Sequence, residues 1–567
     1  MENQPSAAEQ AKIAGRYLRG TIDEELLNTS PEFSKPATGV LKFHGIYQQD
    51  DRDLRKTGQK QFSEMVRVGV PGGILTAQQY LVLDRLADIG DGTLRITTRQ
   101  DIQYHYVPKG RIRELIRELN LNYLSTLAAC GDVVRNVVSC PAPFENEQRR
   151  GLQPIVRFIS RSLKPKTTSY YEIWMGGEPV AKGEAAEPAE VEPLYGATYL
   201  PRKFKIGFAF PGDNTTDVYA NDIGVIPHYE NGEITSFTIL AGGGMGQSAG
   251  VKASHPRLAS PICSIGPSPE ELLEICSAIV TIHRDFGNRS NRKVARLKYV
   301  LDAWGVEKFK QELETRVGRE LAPPRELTWN RSNDYLGWHR QGTDPEGKAI
   351  WFVGVRVVSG RVKDFDEKRR IRSGLRQIIE QFQLEVRLTS QQNLYLSGIR
   401  EEERPKIVSL LSEFGISEPE ALPPVLRRAM ACPALPTCGQ AITESERAMP
   451  GIVAEIQEEL RQVGLPEEEV HLRTSGCQNG CSRPYTAEIG IVGASVNMYT
   501  IYLGASHLGT RLGQVFAQNV KREQIAPILR PVIELFKESR HPNEGFGDFC
   551  NRIGVDELKH SPVLTTA

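Results

Sequence analysis

Residues 94–107, LRITTRQDIQYHYV, can be laid on 386–399, VRLTSQQNLYLSGI, with Arg95 against Arg387, Thr97 against Thr389 and Gln100 against Gln392. Each copy also runs through a strand-like segment, a helix-like segment and then this second strand, beginning at Val66 and again at Trp351. Identity on one strand alone would fit chance. The shared order of elements makes duplication the better reading. Strand-like runs (MVRVGV, TLRITT, IQYHYV) alternate with helix-like ones (TAQQYLVLDRLADIG, GRIRELIRELNL), an α+β rhythm. With 567 residues the chain has material for about three or four domains.

Two cysteine pairs stand in the last quarter: Cys432 and Cys438 in CPALPTC, Cys477 and Cys481 in SGCQNGC. Their spacings, C-x5-C and C-x3-C, differ from the C-x2-C of structural zinc knuckles. They lie in Gly, Pro and Asn-rich backbone that can fold around a bulky inorganic core. Thiolate sulfur selects zinc or iron–sulfur centres, and an iron–sulfur cluster is the better expectation here. Nine cysteines at low density argue against a disulfide scaffold and for a reducing compartment. Cys130, Cys140, Cys263, Cys276 and Cys550 read as buried thiols.

Lys plus Arg equals Asp plus Glu at 70 each, so no global charge draws the chain to nucleic acid or to a membrane surface. No stretch approaches a membrane span and the N-terminus lacks a signal-peptide pattern, which predicts an unexported, cytoplasmic protein. Any anion site must come from local clustering. On the strand at 94–107, Arg95, Thr97 and Arg99 share one parity, and Gln103 and His105 continue it. That face is either solvated or a built cationic surface, and His105 by itself is also readable as a packed core histidine. Arg135 adds a cation in VVRNVVS, and Lys203 and Lys205 share one side of LPRKFK while Phe204 points the other way. The glycine cluster LAGGGMG fits no dinucleotide fingerprint, but lets backbone approach a flat ligand closely. A long helix is expected through HRDFGNRSNRKVARLKYVLDAWG, and a polar linker through GGEPVAKGEAAEPAEVEPLYG.

Taken together, YLRGTIDEEL, FHGIYQQDDRD, VPGG, TTRQ, YLPRKFK, GGGMG, NR-x-x-RK-x-x-x-x-KY, the two cysteine pairs and a terminal NEGFGDF resemble the sirohaem and [4Fe–4S] sulfite and nitrite reductases nearly end to end. Within that family the resemblance is strongest to the haemoprotein (beta) type of the NADPH-linked assimilatory enzymes. It implies a duplicated sulfite/nitrite reductase fold, α+β, in three domains with a pseudo-twofold internal repeat. The implied division is an N-terminal arm at 1–60, a ferredoxin-like duplicated domain from 61–128 plus 346–420, a first sirohaem-binding domain at 129–345, and a second at 421–567 carrying the cluster.

The resemblance also implies the site. Cys432, Cys438, Cys477 and Cys481 would bind the cluster, with Cys481 bridging it to the sirohaem iron. Asn479, with Gly476 and Gly480, would supply tight turns and N–H groups near sulfur. Arg67, Arg135, Lys203 and Lys205 would clamp sulfite and supply protons. Arg95, Thr97, Arg99, Gln103 and His105 would contact the sirohaem, with Arg292 and Lys293 as further partners of its carboxylates. The implied reaction is six-electron reduction of sulfite to sulfide, in sulfate assimilation and cysteine biosynthesis. No flavin or NADPH-binding segment is recognisable, so electrons are expected from a diflavin NADPH reductase subunit, or alternatively from ferredoxin. The YLRGTIDEELLNT arm favours the flavoprotein. A ferredoxin-type nitrite reductase is the nearer rival; there the position of Lys205 is asparagine. A colourless zinc protein binding RNA is the remote one, and no aromatic-rich RNA signature supports it.

Overall fold

The computed structural model describes residues 4–15, 18–58, 60–146, 149, 151–166, 174–175, 178–179 and 192–560. The expected polar linker lies mostly outside the described residues.

The duplication is visible as two five-stranded sheets that exchange an edge. One has the order Ile46–Asp50, Phe62–Val68, Ile102–Val107, Leu94–Ile96, Arg361–Val362; the other Gly337–Thr343, Ala349–Val355, Leu394–Arg400, Glu385–Leu388, Ile74–Leu75. The last strand of each comes from the other copy, pairing Arg361 with Arg95 and Arg387 with Ile74. Each donated strand follows a tight turn: Gly73 (φ 78°) has no room for a Cβ against the Leu388 carbonyl, nor Gly360 (φ 71°) against that of Ile96. One apolar core therefore spans both copies, joining Leu83, Ile102 and Tyr104 to Val355, Leu375 and Leu396. The helix Ala77–Leu86 packs on this core. A capping box starts it, Thr76 accepting from Gln79 N–H at 3.2 Å while the Gln79 side chain accepts from Thr76 N–H at 3.1 Å.

Two further bodies repeat a second pattern, each with its own core. In the first, Ile206–Phe208 runs parallel to Ile223–Glu230, which pairs antiparallel with Glu233–Ala241 and then Ser260–Ile265. In the second, Leu472–Ser475 runs parallel to Ile489–Ser495, followed antiparallel by Met498–Leu503 and Gln514–Lys521. Both parallel crossovers pass through a left-handed residue and a short 3₁₀ turn: Asp217 (φ 49°) before Val218–Ala220, Arg483 (φ 57°) before Pro484–Thr486.

Two expectations shift in detail. The polar N-terminal stretch contributes Ile46–Asp50 to the first sheet, and so is more than an arm. The helix expected through 283–305 is broken: Pro269–Phe286 ends at Gly287, and the next helix starts at Leu297. Asn288 interrupts it, its side chain accepting from Ser290 N–H at 3.1 Å and Asn291 N–H at 2.7 Å, a local competitor to helix. Among the described residues no helix is long and apolar enough to cross a membrane.

Candidate functional site

The polar strand face is buried. Arg95, Thr97, Arg99, Gln103 and His105 are each less than a tenth exposed, so the solvated-face reading fails. Their side chains divide the work. Arg95 donates to Glu446 at 3.1 Å and to the Ala431 carbonyl at 2.9 Å, one residue before Cys432. Arg361, its cross-strand neighbour, donates to the same Glu446 carboxylate at 2.8 and 3.1 Å. That carboxylate resolves two like charges in register. Thr97 holds the turn, its hydroxyl accepting from the N–H groups of Arg99 at 3.1 Å and Asp101 at 3.2 Å. Arg99 is a brace to Asn221 and to the carbonyls of Asn136 and Ile206. Gln103, with its amide oxygen turned to Arg67, accepts from Nε at 3.1 Å and Nη2 at 2.5 Å. His105 meets Gln49 at 3.3 Å through Nδ1 and leaves Nε2 buried without a partner. Burial holds its pKa well below the usual imidazole value.

Arg135 lies on an extended segment that runs parallel to the lysine strand, through the bridges Val134 to Phe204 and Val138 to Gly207. Phe204 is fully buried in the core, so Lys203 and Lys205 face the opposite side, as their alternation predicts. The Lys205 N–H donates to Asp222 at 2.8 Å, and Arg296 grips the same buried carboxylate at 3.1 and 2.7 Å. Among the described residues neither lysine ammonium has a hydrogen-bond or ion-pair partner, although both are only partly exposed. Burial, then Arg135 nearby, lowers the pKa of Lys203 to about 7; burial, then Lys203, holds Lys205 well below the ordinary lysine value. With Arg67 and Arg135 they form a group of cations that, among the described residues, have no ion-pair partner. Arg292, by contrast, is neutralised by Asp132 at 2.7 and 2.9 Å.

Four thiols stand beside it. Cys432 Sγ accepts from Gly476 N–H at 3.3 Å, and Cys477 Sγ from the Asn479 amide at 3.5 Å. Burial raises the pKa of Cys432 to about 12 and that of Cys477 to about 11, and raises Cys438 too; in all three Cys481 is the next contributor. The four are thus electrostatic neighbours that need positive charge to ionise together. Among the described residues no three His, Cys, Asp or Glu side chains are placed to hold a single ion. Neighbouring thiols with N–H groups aimed at sulfur suit a metal–sulfur centre.

Cys481, the most exposed of the four, is also within electrostatic reach of Arg67, Lys203 and Lys205. Its carbonyl accepts from Thr98 Oγ1 at 3.0 Å. Gly480 before it (φ 58°) has no room for a side chain, since a Cβ would sit 2.6 Å from the Tyr485 ring. The glycine cluster supports this loop from the other side: Gln247 N–H donates to the Gln478 carbonyl at 3.0 Å, and buried Lys298 ties Gly244 and Gly246 at 3.1 and 2.8 Å. All nine cysteines are free thiols, and Cys130, Cys140, Cys263, Cys276 and Cys550 are buried as expected. Glu446, Asp222, Lys298 and Asp101 were not singled out from sequence. Two carried a signal: Lys298 closes the NR-x-x-RK-x-x-x-x-KY motif, and Asp101 shares the parity of Gln103 and His105.

Comparison with known proteins matches the chain twice to each of two family models. The nitrite and sulphite reductase 4Fe-4S domain covers 157–321 and 424–561, and the nitrite/sulfite reductase ferredoxin-like half domain covers 57–122 and 343–414. A ferredoxin sulfite reductase of Synechococcus elongatus is 43% identical over 98% of this chain and 90% of its own length. An NADPH sulfite reductase hemoprotein beta-component of a Paenibacillus species is 42% identical over 97% and 96%. The solved structure of Mycobacterium tuberculosis NirA aligns with a TM-score of 0.77, covering 98% of both chains at 23% identity, a likeness of fold.

Proposed function

This chain belongs to the nitrite and sulphite reductase family, and from that membership we propose how its own residues serve the reaction. The chain is the catalytic component of a sulfite reductase, which reduces sulfite to sulfide with sirohaem and a [4Fe–4S] cluster. When bound, these groups would relay electrons from a redox partner and supply the iron at which sulfite is reduced. Cys432, Cys438, Cys477 and Cys481 would hold the cluster, and Cys481 would be shared with the sirohaem. Arg95, Thr97, Arg99, Gln103 and His105, buried together along one strand face, would line the macrocycle.

Arg67, Arg135, Lys203 and Lys205 are the residues we assign to sulfite. A hydrated oxyanion surrenders water only to comparable donors, and a group of cations without ion-pair partners among the described residues offers them. An arriving anion raises the proton affinity of Lys203 and Lys205, so binding draws protons onto the two groups placed to pass them to departing oxygens. The observation that carries the reading is that Cys481 belongs to both neighbourhoods, the thiols and the cations. Lys205 favours sulfite over nitrite through its charge.

The chain needs a redox partner. The N-terminal segment supports a diflavin NADPH reductase subunit, with ferredoxin the alternative, and free thiols suit a cytoplasmic setting. With reduced viologen as a common reductant, sulfide formation from sulfite should show a higher kcat/KM than ammonia formation from nitrite. The reverse order would overturn the assignment. Stopped-flow reduction by each partner decides the donor.

A further inference from the structure

Among the described residues Asp101 is the one acid set among these cations that has no ion-pair partner. It opens the strand Ile102–Val107, on the same side as Gln103 and His105. The register that pairs Arg67 with Gln103 and Val68 with Ile102 leads on to Gly69, and the Asn136 Oδ1 and Ala129 Cβ atoms close the space where a Cβ there would stand, at 3.8 and 3.9 Å. Its side chain is fully buried, and neither carboxylate oxygen has a hydrogen-bond partner. The Val70 N–H lies close enough to act on it electrostatically without completing a hydrogen bond. Four cations face it from four elements: Arg67 from its neighbouring strand, Arg99 from the turn before it, Arg135 from the extended segment, and Lys164 beyond the helix Leu152–Ser162. None forms an ion pair with it.

We propose that Asp101 is a positioning residue that sets the net charge of the anion recess. When the carboxyl is neutral, Arg67 and Arg135 present their full charge to an oxyanion; when it is ionised, it cancels part of that charge and weakens anion binding. The inference rests on the reading of this recess as the sulfite site. Burial raises the Asp101 pKa to about 7 against the pull of Arg67, Arg99 and Arg135, so the change falls near neutral pH. An ionised carboxylate this deeply buried and unbonded is costly, which is why the proton is retained so far above the usual range.

The substrate's own ionisation and that of Lys203 fall in the same region, so the test is a comparison between proteins. Holoenzymes of the wild type, Asp101→Asn and Asp101→Ser are matched for cofactor content by visible absorption. Sulfite KM and kcat are then measured from about pH 6 to about pH 9. The ratio of wild-type to variant KM cancels the shared titrations. It should lie near one at the acid end and rise to the order of tenfold at the alkaline end, the scale of one unit charge acting across a recess. Infrared titration should find a protonated carboxyl band in the wild type that is lost across the same range and is missing from both variants. A KM ratio independent of pH would overturn the proposal, as would an Asp101 already ionised at the acid end. If no protein forms sulfide, the sulfite reading fails, and the infrared titration still decides whether Asp101 changes charge.

Discussion

Replacing Asp217 by asparagine should loosen the joint between the two 4Fe-4S-type bodies. Asp217 and Arg483 occupy matching positions in the two repeats, each left-handed and each leading a 3₁₀ turn, and they meet across the pseudo-twofold at 2.5 Å. Arg473 reaches the same oxygen at 2.6 Å, and all three side chains are less than a tenth exposed. Arg483 also donates to the carbonyls of Thr98 at 3.3 Å and Ser390 at 3.0 Å, touching both ferredoxin-like halves two residues after Cys481. A unit-charge contact at 2.6 Å gives about 6 kcal/mol gross at an effective dielectric of about 20, most of it offset by desolvation. Breaking such a buried pair costs about 3–5 kcal/mol net, because the partner charges stay buried. For an unfolding unit of one domain that is a fall in Tm of roughly 10 °C. Circular dichroism would follow the fold and visible absorption the cofactors, whose bands should be lost together with the fold or before it. Arg483→Gln should cost less in the D217N background than in the wild type. A Tm within about 2 °C of wild type, or strictly additive effects, would refute the account.

Other outcomes follow from the same contacts. Cys481→Ser should lose cluster and sirohaem absorption together, and a normal spectrum with full activity would remove its bridging role. Gly480→Ala, which puts a Cβ 2.6 Å from the Tyr485 ring at a φ of 58°, should destabilise the Cys477–Cys481 loop by about 1–3 kcal/mol and lower iron content per chain. Lys205→Met should raise KM for sulfite at least tenfold and reduce the proton uptake that accompanies anion binding to the share carried by Lys203, measured in weakly buffered solution. Glu446 feels burial upward but Arg361 and Arg95 more strongly downward, to a pKa of about 2. Its depressed pKa stabilises the fold above the unfolded-state value near 4.3, and that stability is lost as pH falls toward 2. Glu446→Gln should therefore cost about 3 kcal/mol across neutral pH, in urea titrations, with the gap narrowing only below about pH 4.

What was legible in the chain is local. The period-2 alternation around Phe204 put Lys203 and Lys205 on one side of a strand, and the core position of Phe204 shows why. The repeat at 94–107 and 386–399 announced the duplication, because the same strand and turn recur with the same polar residues. The helix through 283–305 was misjudged because an Asn side chain capturing backbone N–H groups competes with helix within one turn, below the resolution of periodicity.

The sequence by itself determined the chemistry available: four soft thiols with unusual spacings, a set of cations on alternating positions, and two copies of one α+β unit. These are properties of residue type and of neighbours a few positions apart. Only the tertiary structure decided that the copies exchange edge strands and share one core, that Glu446 reconciles Arg95 with Arg361, that Cys481 stands between thiols and cations, and that Asp101 is buried without a partner. Each of those depends on which distant segments pair and on how much water they exclude. Burial, in turn, decides whether a lysine or a carboxyl is charged at neutral pH.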